Sequence, residues 1–150
     1  MTTPFLQADI AHDEGCRHVA YRDTLGIWTV GYGHAHVPPG TTWTQERCDE
    51  VLAADIADTI AALDRVIPWW RTLNDARQDV LVNMCFNMGW GNGKHGLSSF
   101  KTTLGQIEGG NYEVAANRML ESHWAEQVHG RAKRLSEQMR TGVRIAPEAA

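Results

Sequence analysis

The chain has 150 residues, 43% of them hydrophobic and 21% charged, with a formal net charge of -4. That length and balance fit one globular domain with its own core and exclude a disordered chain. The negative charge excludes a general nucleic-acid binder, which is normally basic, so no nucleic-acid partner is expected.

No stretch approaches the roughly 18 to 20 apolar residues of a membrane span. The N-terminal MTTPFLQADIAHDEG has neither a basic n-region nor an apolar h-region, so stable membrane insertion is not expected and synthesis is expected to end in a cytosol. Cys16, Cys48 and Cys85 are odd in number and too widely spaced for a CxxC motif. They read as reduced, mostly buried small hydrophobes. Charge is uneven: between Arg118 and Arg144 six Lys or Arg face three acids. Such a face could hold a polyanionic polymer or simply be solvated.

In chain order, Phe5, Leu6, Ile10 and Ala11 share one helical face, which predicts a helix from about Phe5 to Cys16 with Glu14 in its last turn. From Val19 to His34 the pattern alternates, with Trp28, Val30 and Tyr32 on one side and Thr29, Gly31 and Gly33 on the other. This predicts a hairpin turning at Leu25-Gly26, whose glycine-bearing face leaves room for something to lie against the backbone. VPPGTT breaks the sheet, and Thr44 can cap a helix carrying Leu52, Ile56, Ile60, Leu63 and Ile67 at steps of four or three, stopped by Pro68. At 1.5 Å per residue that helix is about 34 Å long, enough to join two lobes.

Asn74 or Asp75 caps a further helix through Val80, Leu81, Met84 and Cys85 that ends at Gly89, and GWGNGKHG carries the chain to Ser98. Short helices follow at about 99–107, 112–121 and 131–141, and the tail from Val143 is expected to fray. The fold class is α+β, mainly α: one domain with a small antiparallel β-lobe (about 17–43), a connecting helix (about 44–67) and a helical lobe (about 68–142) joined by the N-terminal helix. A cleft between lobes is the natural place for a ligand.

The stretch DEGCRHVAYRDTLGIWTVGYGHAH then reads as chemistry. Cleaving a glycosidic bond takes one carboxylic acid to protonate the leaving oxygen and a carboxylate to position water or stabilise the sugar cation. Glu14 and Asp23 could fill those roles, with Thr29 holding the water. Spacing alone leaves a structural role for the two acids open.

The words around them resemble the phage-type lysozymes of the T4 lysozyme family, glycoside hydrolase family 24. There the Glu stands in an "EG" step, the Asp in "Y-[KR]-D-T-x-G" and the Thr before "[IV]-G-x-G-H". This chain has Glu14-Gly15, Tyr21-Arg22-Asp23-Thr24-Leu25-Gly26 and Thr29-Val30-Gly31-Tyr32-Gly33-His34. NMCFNMG, residues 83–89, and HW…GRAKRLSEQMRTG, residues 123–142, match the family's buried helix and closing helices. AHVPPGTTW is short, as in members from lambdoid phages such as P22, and GWGNGKHG is richer in glycine than the family pattern.

The resemblance implies a two-lobe lysozyme-like fold and a phage endolysin. Such an enzyme hydrolyses the β-1,4 bond between N-acetylmuramic acid and N-acetylglucosamine in bacterial peptidoglycan. Glu14, Asp23 and Thr29 take the catalytic positions. Tyr32, His34, Asn87, Phe100 and Arg131 are the candidate substrate-binding residues. Trp124 falls in the core, Arg131 where the family pairs an arginine with the catalytic Glu, and Asp55 where it pairs an acid with His34. An arginine partner lowers a carboxyl pKa where an acid catalyst gains from a raised one, so substrate binding would have to displace or weaken the pair. His34 and His36 could bind zinc, but the Asp55 pair accounts for His34 without it. Trp69, Trp70 and Trp90 fit the core or a domain junction better than sugar stacking.

No cofactor and no metal is expected, and the protein is expected to be a monomer in the host cytosol that reaches the wall through a separate membrane pore. No wall-binding domain is expected, which would fit a Gram-negative host. Two alternatives remain: a lytic transglycosylase, against which the presence of both Asp23 and Thr29 argues, and a non-catalytic phage structural protein, against which the intact Glu, Asp and Thr set argues.

Overall fold

A computed structural model describes residues 1–147. Residues 148–150, the end of the tail expected to fray, lie outside the described residues. The chain divides into two compact units, Gln7–Asp58 and the remainder, made of Met1–Leu6 and the residues from Thr59 onward. The N-terminal helix thus falls almost wholly with the sheet, whereas the sequence reading counts it with the helical lobe.

The unit Gln7–Asp58 opens with α1, Leu6–Glu14, closed by Gly15 at a positive φ of 68°. Glu14 is its last residue. Strands β1 (Arg17–Arg22), β2 (Trp28–Gly31) and β3 (His34–Ala35) form an antiparallel sheet in that order. The expected hairpin therefore has a third strand. Two residues are too few for an alternation signal, so β3 is invisible to periodicity. The segment after VPPG also returns to the sheet: Ala20 donates its N–H to the Thr41 carbonyl (2.8 Å) and Trp43 donates to that of His18 (2.8 Å).

The two glycines of the hairpin face differ. A Cβ at Gly31 would stand 3.1 Å from the Trp43 ring, so no space lies open there. At Gly33 a Cβ would meet only Glu14 Oε2, at 3.8 Å. The open part of that face is therefore confined to the neighbourhood of the Glu14 carboxylate.

Helix α2, Gln45–Val66, begins where expected: the Thr44 hydroxyl accepts the Arg47 N–H at 3.1 Å. Leu52, Ile56, Leu63 and Ile67 are buried. Pro68 has no N–H to continue the ladder, and a 3₁₀ turn over Pro68–Thr72 follows. Trp70 is fully buried there, donating its indole N–H to Asp64 Oδ1 at 2.8 Å. Arg71 grips both oxygens of the same carboxylate at 2.7 and 2.9 Å. Those hydrogen bonds hold the Asp64 carboxyl below the usual range.

Helix α3, Asp75–Met88, is capped by Asn74, whose side chain accepts the Arg77 N–H at 3.0 Å, and ends at Gly89. It is buried over nearly its whole length, polar residues included. The Gln78 amide donates to the carbonyls of Arg71 and Leu73 at 3.0 and 2.9 Å, and Asp79 accepts from the Thr3 backbone at 2.9 Å and from the Thr3 hydroxyl. Buried polar groups are tolerated when paired in this way, although the Gln78 side-chain oxygen is buried without a hydrogen-bond partner among the described residues.

Helices α4 (Lys101–Glu108), α5 (Tyr112–Leu120), α6 (His123–Val128) and α7 (Gly130–Thr141) complete the unit. The sequence reading leaves out α6. It has six residues and one buried side chain, Trp124, which is too short a run to show a period. Its cap is conventional: Ser122 Oγ accepts the Ala125 N–H at 3.2 Å. The tail past α7 is held at least to Ile145, whose N–H donates to Gln138 Oε1 at 3.0 Å, and Arg144 stacks 4.0 Å over the Phe5 ring. That cover lets Phe5 remain about half exposed although it shares a face with buried Leu6 and Ile10.

Three substitutions test this packing by urea unfolding. Leu52, 2% exposed, and Trp124, 5% exposed, should lose about 2–5 and about 3–5 kcal/mol respectively on replacement by Ala. Gly31→Ala forces a side chain onto a positive φ against an indole ring and should cost about 1–3 kcal/mol. A loss below a few tenths of a kcal/mol at any of the three would contradict the burial described.

Candidate active site

Asp23 sits in the turn joining β1 to β2. Its Oδ1 accepts the N–H groups of Leu25 and Ile27, each at 2.9 Å. Its own backbone N–H donates to the Ile27 carbonyl at 2.9 Å, and its carbonyl accepts from Gly26. This is an Asx-type turn in which a short acidic side chain mimics backbone, and it fixes the carboxylate while leaving Oδ2 outside the turn. Thr29 is 3% exposed, and its hydroxyl donates to the same Ile27 carbonyl at 3.0 Å. The backbone of one residue, Ile27, therefore holds both side chains, Asp23 through its N–H and Thr29 through its carbonyl. With its proton committed to Ile27, the Thr29 hydroxyl presents only lone pairs elsewhere.

Glu14 is half-buried at the C-terminal end of α1. Its Oε2 lies on the side of Gly33 that a Cβ would occupy, 3.8 Å from that position. Gly33 has φ +82° and occupies the turn between β2 and β3, so the backbone conformation there favours glycine.

His34 Nδ1 lies 2.7 Å from Asp55 Oδ2, forming the expected pair between β3 and α2. The His34 ring also packs 5.5 Å from that of Trp43. The Tyr32 hydroxyl donates to Asp49 Oδ1 at 3.1 Å and accepts from the Gln45 amide at 2.9 Å. Loss of water around that phenol raises its pKa. Tyr32 and His34 are thus both tied into networks that brace the sheet against α2.

In the other unit, Asn87 Oδ1 accepts the Trp124 indole N–H at 2.8 Å, leaving its amide hydrogens outside that bond. Phe100 meets Trp124 edge to face, 6.3 Å between centroids. Arg131 Nε donates to Asn83 Oδ1 at 2.9 Å. Phe100 and Trp124 line a pocket of about 530 Å³ together with Lys94, Lys101, Arg118 and His123. The sequence reading misses this pocket. Lys94 belongs to the GWGNGKHG loop and Arg118 to the basic segment, two features noted separately, and only the fold brings them to one wall.

The cysteines are free thiols, Cys48 and Cys85 buried and Cys16 half-buried. Burial pushes the Cys85 thiol up to about 11, and burial with the neighbouring Cys16 thiol does the same for Cys48.

A family model described as phage lysozyme matches residues 11–140. The endolysin of Salmonella phage P22 is 34% identical over 122 residues, covering 74% of this chain and 75% of its own. The endolysin of Acyrthosiphon pisum secondary endosymbiont phage 1 is 32% identical, over 79% of this chain and 76% of its own. The pre-baseplate central spike protein Gp5 of Enterobacteria phage T4 is 31% identical over 89% of this chain, which spans only 27% of that protein's length. Among the described residues no helix is long and apolar enough to cross a membrane. The match across most of its length shows that this chain belongs to the phage lysozyme family, with the cell-wall-hydrolysing function of that family.

Proposed function

We propose that the chain is an N-acetylmuramidase, hydrolysing the β-1,4 bond between N-acetylmuramic acid and N-acetylglucosamine in peptidoglycan, and that it serves as an endolysin in host lysis. The observation that carries this reading is the backbone of Ile27, whose N–H binds Asp23 Oδ1 and whose carbonyl accepts the Thr29 hydroxyl. A water that donates one hydrogen to Asp23 Oδ2 and the other to Thr29 Oγ1 has its lone pair directed outward, as attack on an anomeric carbon requires.

In this reading Glu14 enters the reaction protonated and gives its proton to the glycosidic oxygen as the bond to the anomeric carbon breaks. The held water adds to that carbon from the opposite face and passes a proton to Asp23. The anomeric centre inverts. The 3% exposure of Thr29 suits a niche holding one small molecule, where each hydrogen bond is stronger than in bulk water.

Tyr32, His34, Asn87, Phe100 and Arg131 are proposed to serve substrate binding by different means. Asn87 keeps amide hydrogens for a sugar carbonyl or hydroxyl, and Phe100 offers an apolar face in the pocket it lines. Tyr32 and His34, engaged with Asp49, Gln45 and Asp55, position the backbone around Gly33 more than they touch sugar. The enzyme would act as a monomer without a cofactor, and as an endolysin would reach the wall from the host cytosol through a separate pore.

Wild type, Glu14→Gln and Asp23→Ala should be incubated with peptidoglycan stripped of outer membrane, and the released fragments weighed. Muropeptides with a reducing N-acetylmuramic acid end are expected from wild type, with at least a hundredfold less from either variant. Anhydro sugars would make the enzyme a lytic transglycosylase, and reducing N-acetylglucosamine ends would make it a glucosaminidase. Full activity in Glu14→Gln would remove that residue from the chemistry. Glu14→Gln should fold with unchanged or improved stability, since active-site charges are commonly placed at some cost to the fold.

A further inference from the structure

The unit carrying Glu14 holds a second cluster of reactive side chains that the proposed hydrolysis does not use. Cys16, His18 and Cys48 come from three different places: the link after α1, strand β1 and the first turn of α2. One ligand-capable atom from each lies within 4.8 Å of the others. No CxxC spacing announces the group, because it is assembled by the fold.

We propose that Cys16, His18 and Cys48 form a binding site for a thiophilic metal ion, with Zn²⁺ the best match. Two sulfurs and one imidazole are borderline-soft donors, which select Zn²⁺ over the oxygen-seeking Mg²⁺ and Ca²⁺. Zinc binds sulfur at about 2.3 Å and imidazole nitrogen at about 2.0 Å in tetrahedral geometry, so two sulfurs on one ion stand about 3.8 Å apart. The spread of donors here exceeds that by about 1 Å, a distance that rotation about the side-chain bonds can close.

The three residues have the freedom to do so. Cys16 is half-buried and His18 exposed, and only Cys48 is packed. His18 Nδ1 stands 4.0 Å from Cys48 Sγ and 3.0 Å from the Trp43 carbonyl oxygen. Giving up that one exposed backbone hydrogen bond lets the ring turn its lone pair to the sulfurs. The exposure of His18 also leaves a path for the ion and a fourth position for water.

Bound there, the ion would clip the start of β1 and the chain leaving Glu14 to the N-terminal turn of α2. Its effect is on the stability of this unit, since an ion that binds only the folded chain stabilises it by mass action. The proposal is independent of which bond the enzyme cleaves.

The test uses the full chain kept reduced with a phosphine, titrated with Co²⁺ and then Zn²⁺, reading absorption and thermal unfolding. One equivalent of Co²⁺ is expected to give a thiolate-to-metal charge-transfer band with the intense visible bands of four-coordinate cobalt, and Zn²⁺ should abolish both. Zn²⁺ should also raise the Tm of wild type. Cys16→Ser and Cys48→Ala should each lose the charge-transfer band and the Tm response, and His18→Gln should weaken binding at least tenfold. Because Cys48 is packed, circular dichroism must show that its variant is folded, and Cys16→Ser and His18→Gln carry the test if it is not. Absence of a charge-transfer band in reduced wild type would overturn the proposal. So would a band that survives in Cys16→Ser, or a Cys16–Cys48 disulfide that persists under the reductant.

Discussion

The backbone of Ile27 is the constraint around which the acid-bearing sheet is built. Its N–H binds Asp23 Oδ1, and its carbonyl accepts both the Asp23 N–H and the Thr29 hydroxyl. These bonds close the β1–β2 turn, and the register Tyr21 opposite Thr29 and Arg22 opposite Trp28 follows from it. A one-residue slip would put Thr29 on the other face and uncouple it from Asp23. The turn sets strand register and the placement of the Asp23 and Thr29 side chains together, so the proposed chemistry is inseparable from the local fold.

The remaining supports of this unit keep that turn in place. Gly33 supplies the positive φ of the β2–β3 turn, Trp43 covers Gly31, and the pair His34 with Asp55 fastens β3 to α2. Both members of the pair are partly exposed, 39% and 28%, so its contribution is about 1 kcal/mol or less. Its value is directional: it adds a tie to α2 for a two-residue strand that otherwise pairs with β2 and packs His34 on Trp43.

What the sequence discloses follows the length of each signal. Helix α2 announces itself through five apolar positions, a threonine cap and a stopping proline, and α3 through a cap at Asn74 or Asp75, of which the fold uses Asn74, and a terminal glycine. Strand β3 and helix α6 are too short for any period. Asp23 and Thr29 are legible as words in a family pattern, but their common dependence on Ile27 is not, because it runs through backbone atoms that every residue shares. The grouping of Cys16 with His18 and Cys48, and of Lys94 with Arg118, is hidden for another reason: residues distant in sequence meet only through tertiary packing. The hairpin face was expected to be open along its glycines, and Trp43 fills it at Gly31, an approach that no local pattern encodes.

The central claim is that Asp23 and Thr29 together aim a water at the sugar from the side opposite the leaving group. The stereochemistry of the first product tests it most directly. Proton NMR of a soluble peptidoglycan oligomer during the first minutes of hydrolysis, before mutarotation, should show the new reducing end as the α-anomer, inverted from the β-linked substrate. Initial release of the β-anomer would mean that a covalent or ion-paired intermediate forms on the near face, and the arrangement of Asp23 and Thr29 around a water would have to be abandoned.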